Sequence, residues 1–290
     1  MTVLARPIER LGAYLALTKP RIIELLLITT VPAMILAAGE WPGTWLVVAT
    51  VVGGTLSAGG ANAINNVVDR DIDARMRRTA HRPVPAERLS ARQALTAGIV
   101  LGIAGFVWLW VTTNLLAGLI ATAALVFYVV VYTMWLKRTT VQNIVIGGAA
   151  GSAPALVGWA AVTGSVDLPA WVMFAIVFTW TPPHFWALSL RFRDDYAAAE
   201  VPMLPVVAGE RSTVLHIVLY AVMLFGVSLL LHPVSDLGAP YLVTAIVLGV
   251  CFVGASARLF VDRGFAMRVF HLSNVYLTLL FAAVAFDVLA

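Results

Sequence analysis

The chain has 290 residues, 61% of them hydrophobic and 12% charged, with a mean hydropathy of +0.91 and a formal net charge of +4. Soluble domains carry about 25% charged residues, so these values exclude an ordinary soluble domain, and so small a basic excess requires no nucleic-acid partner. They point to helices in a bilayer, because backbone groups in hydrocarbon must pair internally and the apolar runs lack the alternation of barrel strands.

In chain order, a basic segment of residues 1–20 comes first. It is expected to stay on the chain, in the cytoplasm, because the apolar run after it is needed as a spanning helix. Runs of about 17–25 apolar residues match a hydrocarbon core of roughly 30 Å. Nine are predicted to span: 22–38, 44–64, 94–112, 115–135, 142–162, 169–190, 213–231, 240–261 and 268–289. Every Lys and Arg falls on one side of this pattern. Arg6, Arg10, Lys19 and Arg21 precede the first span, and seven Arg lie between the second and third. Lys137 and Arg138 follow the fourth, Arg191, Arg193 and Arg211 follow the sixth, and Arg258, Arg263 and Arg268 surround the last turn. The other side holds only acids: Glu40, Asp167, Asp236 and Asp287. The positive-inside rule then puts the N-terminus in the cytoplasm and the C-terminus outside. The expected architecture is one all-α polytopic domain, 1–290, in a bacterial inner membrane. Cys251 lies inside the eighth run, where it is expected to be a small packing residue rather than part of a disulfide or metal site.

The stretch NAINNVVDRDIDARMRRTAHRPVP, residues 62–85, sets three aspartates and five arginines at the end of the second run. At about 100° per residue, Asn65, Asp69 and Asp73 (i, i+4, i+8) drift by only about 40° per step. Asn62 and Asn66 fall on the same broad face, and Asp71 points roughly opposite. The second helix is thus expected to continue past the lipid with two carboxylates on one stripe. Carboxylates one turn apart repel unless a cation sits between them. Mg²⁺ suits this position, since one or two carboxylates hold it while substrate phosphate oxygens complete its shell. The neighbouring Arg70, Arg75, Arg77, Arg78 and Arg82 suit a bulky, multiply charged anion such as diphosphate. A solvated, helix-anchoring loop is the plainer alternative, but acids at a membrane mouth are costly and usually functional.

A second long loop, TPPHFWALSLRFRDDYAAAEVPMLPVVAGERS, places Asp194, Asp195 and Glu200 after the sixth run. These acids could hold a second Mg²⁺ from across a cavity, or pair with Arg191 and Arg193. His184 follows Pro182 and Pro183, which break the local ladder. It could pack, ligate haem iron or relay a proton. Lys137 and Arg138 have no acid nearby in sequence and could take diphosphate charge. The run from Gly147 to Ala153 is all small residues, which permits close helix approach or leaves space for a flat ligand.

The chain resembles the UbiA superfamily of intramembrane prenyltransferases, and within it the haem-modifying branch. The resemblance rests on LTKPRIIELLLITT (17–30), NNVVDRDIDARMRRTAHRPVP (65–85), LKRTTVQNIVIGGAAGSAPALVGW (136–159), PPHFWALSLRFRDDYAAAEVPMLPVVAG (182–209) and RVFHLSNVYLTLLF (268–281). It implies nine helices around a central cavity. It implies that Asn65, Asp69, Asp73 and Asp195 bind Mg²⁺–diphosphate. Lys137, Arg138, Arg78 and Arg82 would hold phosphate oxygens, Asn143 would join the substrate-binding set, and His184 would stand nearest the haem. The implied reaction moves farnesyl from farnesyl diphosphate to a vinyl group of haem b, with water added, giving haem O. Haem A synthase or a terminal oxidase is the protein partner this implies. Two departures stand out: Asn66 occupies a position that is often Asp in the superfamily, and Ala199 stands where a DxxxD motif would have its second acid. An aromatic quinone precursor is the alternative acceptor. A cation transporter is disfavoured, because coupled transporters place acids near the midplane on broken helices.

Overall fold

The computed structural model describes residues 7–290, with the side chains of 9–20 and 28–290. Arg6 and Arg21, two of the basic residues used for orientation, lie outside those described side chains. Among the described residues every regular element is helical. In chain order they are α1 (Pro7–Thr18), α2 (Pro20–Ala38), α3 (Thr44–Val68), α4 (Arg70–Arg75), α5 (Ala91–Thr112) and α6 (Leu115–Thr139). Then follow α7 (Asn143–Thr163), α8 (Leu168–Arg191), α9 (Arg193–Ala198), α10 (Leu204–Val207), α11 (Gly209–Leu230), α12 (Ala239–Ala257) and α13 (Ala266–Leu289).

Seven of the described helices are long and apolar enough to cross a membrane: α3, α5, α6, α7, α11, α12 and α13. The two other predicted spans are also helices. In α2 the apolar stretch among described side chains is Ile28–Ala38. The α8 helix carries Thr179, Thr181, His184 and Ser189, all buried against other helices. Its polar groups lower its hydropathy without meeting lipid, because it runs through the middle of the bundle.

Small residues set the closest helix approach. A Cβ on Gly60 of α3 would lie 2.7 Å from the Gly98 carbonyl of α5, and one on Gly105 would lie 2.8 Å from the Ser57 nitrogen. Backbones meet directly along this seam, as small-residue stripes in membranes allow. The small run of α7 is used for close approach at its start and is open at Gly151. Gly147 and Gly148 abut Tyr132 and Thr181, whereas a Cβ on Gly151 would meet nothing within 4 Å. Pro182 and Pro183 do not end α8; the Thr179 and Thr181 hydroxyls donate to the carbonyls of Ala175 and Val177 at 2.8 Å. Cys251 is exposed on the outer surface of α12 rather than packed inside, because its face of α12 has no neighbouring helix.

At the acidic end, the carboxylates do structural work. Asp287 accepts from the Gly238 and Tyr241 nitrogens at 2.8 Å, capping α12, and Asp167 accepts from Trp159 Nε1 at 3.0 Å. At the basic end the two long loops pack on each other through Ile72, Met76, Ile144, Tyr196, Ala199, Val201 and Met203.

Gly60→Val should force α3 and α5 apart and lower stability by about 1–3 kcal/mol, seen as a lower thermal midpoint in detergent. An unchanged midpoint would show that the seam is not tightly packed.

Candidate active site at the basic end of the bundle

The helix expected to carry the first aspartate motif is interrupted within it, with Asp69 standing between α3 and α4. The Asp69 nitrogen bonds the Asn65 carbonyl at 2.9 Å, and the Asp73 nitrogen bonds the Asp69 carbonyl at 2.7 Å. Asn65, Asp69 and Asp73 therefore share the expected stripe, and they are 2%, 0% and 1% exposed. Buried carboxylates require partners. Lys137, at the end of α6, pairs directly with Asp69 Oδ2. Arg82 donates to both Asp73 oxygens at 2.9 and 2.8 Å. Arg138 forks onto Asp71 with two 2.8 Å bonds and also donates to the Val68 carbonyl at 2.8 Å. That fork holds the Asp71 carboxyl well below the usual range. The same guanidinium lies 3.8 Å from Asp69 Oδ1.

Asn65 joins three segments. It donates to Asp69 Oδ2 at 2.7 Å and to Thr133 Oγ1 at 3.1 Å, and accepts from Lys19 Nζ at 2.7 Å. Lys19 sits between α1 and α2 at φ +51°. The following Pro20 disfavours right-handed helix at this residue, so the chain turns and the amine is aimed inward. Burial, with Arg82 and Lys137 nearby, pushes the Lys19 amine down to about 7. Thr133 is placed by a π-helical stretch of α6, Phe127–Leu136, in which its hydroxyl donates to the Tyr128 carbonyl at 2.8 Å. Such wider turns are frequent at functional sites. Tyr128 and Tyr132 lie side by side on this stretch, their rings tilted by 31° with centroids 5.4 Å apart.

Asn62 and Asn66, placed by helical spacing on the carboxylate face, turn away from it. Their amides donate to the carbonyls of Thr18 (3.1 Å) and Leu17 (3.4 Å). The last carbonyls of α1 lack helical partners, and these amides satisfy them. Asn66 thus holds α1, which accounts for an amide at that position.

Across the mouth, Arg78 donates to the Tyr196 hydroxyl at 3.1 Å and lies over the Phe192 ring at 5.4 Å. Arg75 pairs with Glu200 at 3.4 Å, both exposed. The two loops thus face one another as the sequence suggested. Asp195 is half-buried, and its carboxylate has no hydrogen-bond or ion-pair partner among the described residues; Asp194 is exposed. Among those residues no three His, Cys, Asp or Glu side chains gather closely enough to hold a metal, so Asp195 is not drawn together with Asp69 and Asp73. Asn143 donates to the carbonyls of Thr140 (2.6 Å) and Pro202 (3.3 Å), tying α7 to the second loop.

His184 lies apart from the carboxylates, between the rings of Trp180 and Phe270 with centroids at 4.3 and 4.4 Å. The Ser273 hydroxyl donates to the Phe270 carbonyl at 2.7 Å and lies 2.7 Å from His184 Nδ1. Its one proton being used, Ser273 accepts from Nδ1–H. The neutral ring then keeps its lone pair on Nε2.

Lys19, Thr133, Tyr128 and Ser273 were not singled out as site residues in the sequence. Lys19 had one local signal, a cation set just before a proline at the edge of an apolar run. Ser273 had none, being 89 positions from His184.

The donor set suits a divalent cation. Asp69 Oδ1 is buried without a hydrogen-bond partner, and Asp69 and Asp73 present hard oxygens one turn apart.

The sequence pattern of the UbiA prenyltransferase family matches residues 26–285. The chain belongs to the UbiA prenyltransferase family. It is 53% identical over 281 residues to a protein of Clavibacter michiganensis named protoheme IX farnesyltransferase, covering 95% of this chain and 92% of that one. Proteins of the same name from Saccharopolyspora erythraea (54%, covering 96% and 90%) and Symbiobacterium thermophilum (54%, covering 95% and 93%) are as similar. The fold matches a digeranylgeranylglyceryl phosphate synthase structure with TM-score 0.79 at 18% identity, over 97% of this chain and 99% of that one. It also matches an Archaeoglobus fulgidus UbiA homolog bound to DMAPP and Mg²⁺, with TM-score 0.66 at 13% identity, over 94% and 99%. The family fold is therefore that of a multi-pass, all-helical membrane prenyltransferase.

Lys137→Met should strand the Asp69 carboxylate and destabilise the protein by about 3–5 kcal/mol. Adding Asp69→Asn should restore most of the loss, measured by thermal unfolding in detergent without metal. Equal stability of Lys137→Met and wild type would contradict the pairing.

Proposed function

We propose that this protein transfers the farnesyl group of farnesyl diphosphate to a vinyl group of haem b, giving haem O and diphosphate. The observation that carries this reading is the pair of buried carboxylates, each neutralised by a cation from a different segment, at the mouth of an apolar bundle. Asn65, Asp69 and Asp73 are the residues that would hold Mg²⁺; Asp195, which stands apart from them on the facing loop, would hold a second ion from across the mouth. When bound there, Mg²⁺ neutralises charge on the leaving diphosphate. Lys137 and Arg82 then have charge to offer the phosphate oxygens, as do Arg138 and Arg78 beside them. The rings of Tyr128 and Tyr132 lie on the same π-helical stretch as Thr133, which bonds Asn65. They are suited to stabilise an allylic cation by π contact.

The C–O bond of the allylic ester breaks, with both electrons leaving on diphosphate. The vinyl π electrons form the new bond to farnesyl C1. Water adds to the resulting benzylic-type cation and loses a proton, leaving a hydroxyethylfarnesyl group. Apolar walls keep water from the allylic cation before the vinyl reaches it. His184, through Nε2, would be the ligand to the haem iron. The helices cross an inner membrane nine times, with the N-terminus and the aspartate mouth in the cytoplasm, supported by the gathering of basic residues at that end. Haem A synthase or a terminal oxidase is the expected recipient of the product.

No feature of the site favours an aromatic quinone precursor as acceptor, and relatives above half identity carry the haem-farnesylating name. Purified protein with haem b, farnesyl diphosphate and Mg²⁺ should yield a hydroxyethylfarnesyl haem by mass spectrometry, and EDTA should abolish it. Asp69→Ala or Asp73→Ala should lower turnover by at least about a hundredfold. Unchanged haem, with diphosphate released only when an aromatic acid is supplied, would replace this acceptor with the aromatic one.

A further inference from the structure

A second basic cluster lies at the same end of the bundle, away from the aspartates. A cavity of about 230 Å³ is lined by Leu190, Arg191, Glu210, Arg263, Ala266 and Met267, among others. Arg263 Nη1 is buried there with no hydrogen-bond partner. The nearest acid, Glu210, stands only at the edge of pairing: 4.0 Å from Arg263 and 3.9 Å from Arg193. Arg191, Arg193 and Arg263 outnumber Glu210 and Asp262, whose carboxylate is taken up by the Gly264 nitrogen at 2.9 Å, and leave the cluster with excess positive charge. The N-termini of α11 and α13 also converge here, adding the positive ends of two long helices. An orphaned guanidinium beside two helix N-termini is chemistry for a carboxylate or phosphate.

The position of this cavity identifies the anion. On α8, Arg191 follows His184 by seven residues, two turns along the same stripe. On α13, Ala266 precedes Ser273 by seven residues, again two turns on one stripe. His184 meets Ser273 and Phe270 at one level of the α8–α13 seam, and Arg191 meets Ala266 and Met267 around the cavity two turns higher. The separation is about 10 Å along the helices. That is comparable with the distance from a porphyrin's metal to its propionate carboxylates.

We propose that Arg191 and Arg263 bind a propionate carboxylate of the porphyrin acceptor, with its iron at the level of His184. This rests on haem being the acceptor, and it assigns the acceptor's polar edge to the cytoplasmic end of the α8–α13 seam. The diphosphate mouth at Asp69 and the propionate cavity are then two separate anion sites at one end of the bundle. Glu210 competes with the ligand for Arg263 and is displaced from its loose pairing on binding.

The test uses the full chain in detergent, titrated with haem b and with haem b dimethyl ester and followed by absorption. Wild type should bind haem b about tenfold more tightly than the ester. Arg191→Gln with Arg263→Gln should bring the two affinities within about twofold of each other, while Glu210→Gln, which removes the competing carboxylate, should widen the preference. An undiminished preference in the double variant overturns the assignment. So does loss of co-purified anionic phospholipid from that variant without any change in preference, which would give the cavity to a lipid headgroup. Wild type is assayed for farnesyl transfer in the same preparation. Absence of transfer to haem b removes the acceptor reading itself, whereas transfer with an unchanged preference removes only this inference.

Discussion

Two carboxylates, Asp69 and Asp73, are held out of water where α3 meets its loop. An unpaired charge in such a place is prohibitively costly, so every segment around it is arranged to bring a cation. Lys137 arrives from α6, Arg82 from the following loop, and Lys19, through Asn65, from the turn between α1 and α2. The π-helical stretch of α6 places Thr133 against Asn65. The left-handed turn at Lys19 makes a second adjustment of the same kind. Both are local costs accepted by the backbone in order to satisfy one buried polar network.

That network also explains the way the two loops close. Arg78 and Arg75 reach Tyr196 and Glu200 on the opposite loop, and an apolar cluster beneath them fixes the contact. The mouth is therefore a joint between the early and late parts of the chain. The acids at the other end, Asp167 and Asp287, serve as hydrogen-bond acceptors for Trp159 and for the start of α12. Among the described residues, only the basic end combines buried acids with surplus cations.

Much of this was legible in the sequence, for reasons that can be stated residue by residue. Helical spacing alone placed Asn65, Asp69 and Asp73 on one stripe, because Asp69, although it separates α3 from α4, still bonds back to Asn65 and is bonded by Asp73. The apolar runs located the helices, although α8 carries buried polar residues that weaken its signal. Spacing misplaced Asn62 and Asn66, since a periodic pattern does not show that a neighbouring helix end needs donors. It could not show which cation pairs with which acid: Arg138, with no acid near it in sequence, turned out to fork onto Asp71, 67 positions away. Nor could it reveal the His184–Ser273 pairing or the α6 π-turn, which depend on contacts between distant segments.

Asp69 and Asp73, paired with Lys137 and Arg82, are the proposed metal-binding pair. The most direct test is the Mg²⁺ dependence of binding of an unreactive farnesyl diphosphate analogue. Wild type should bind the analogue at least about tenfold more tightly with Mg²⁺ than without, and the Asp69→Asn/Asp73→Asn variant should bind it equally in both conditions. Survival of the full Mg²⁺ effect in that variant would show that Asp69 and Asp73 do not hold the metal.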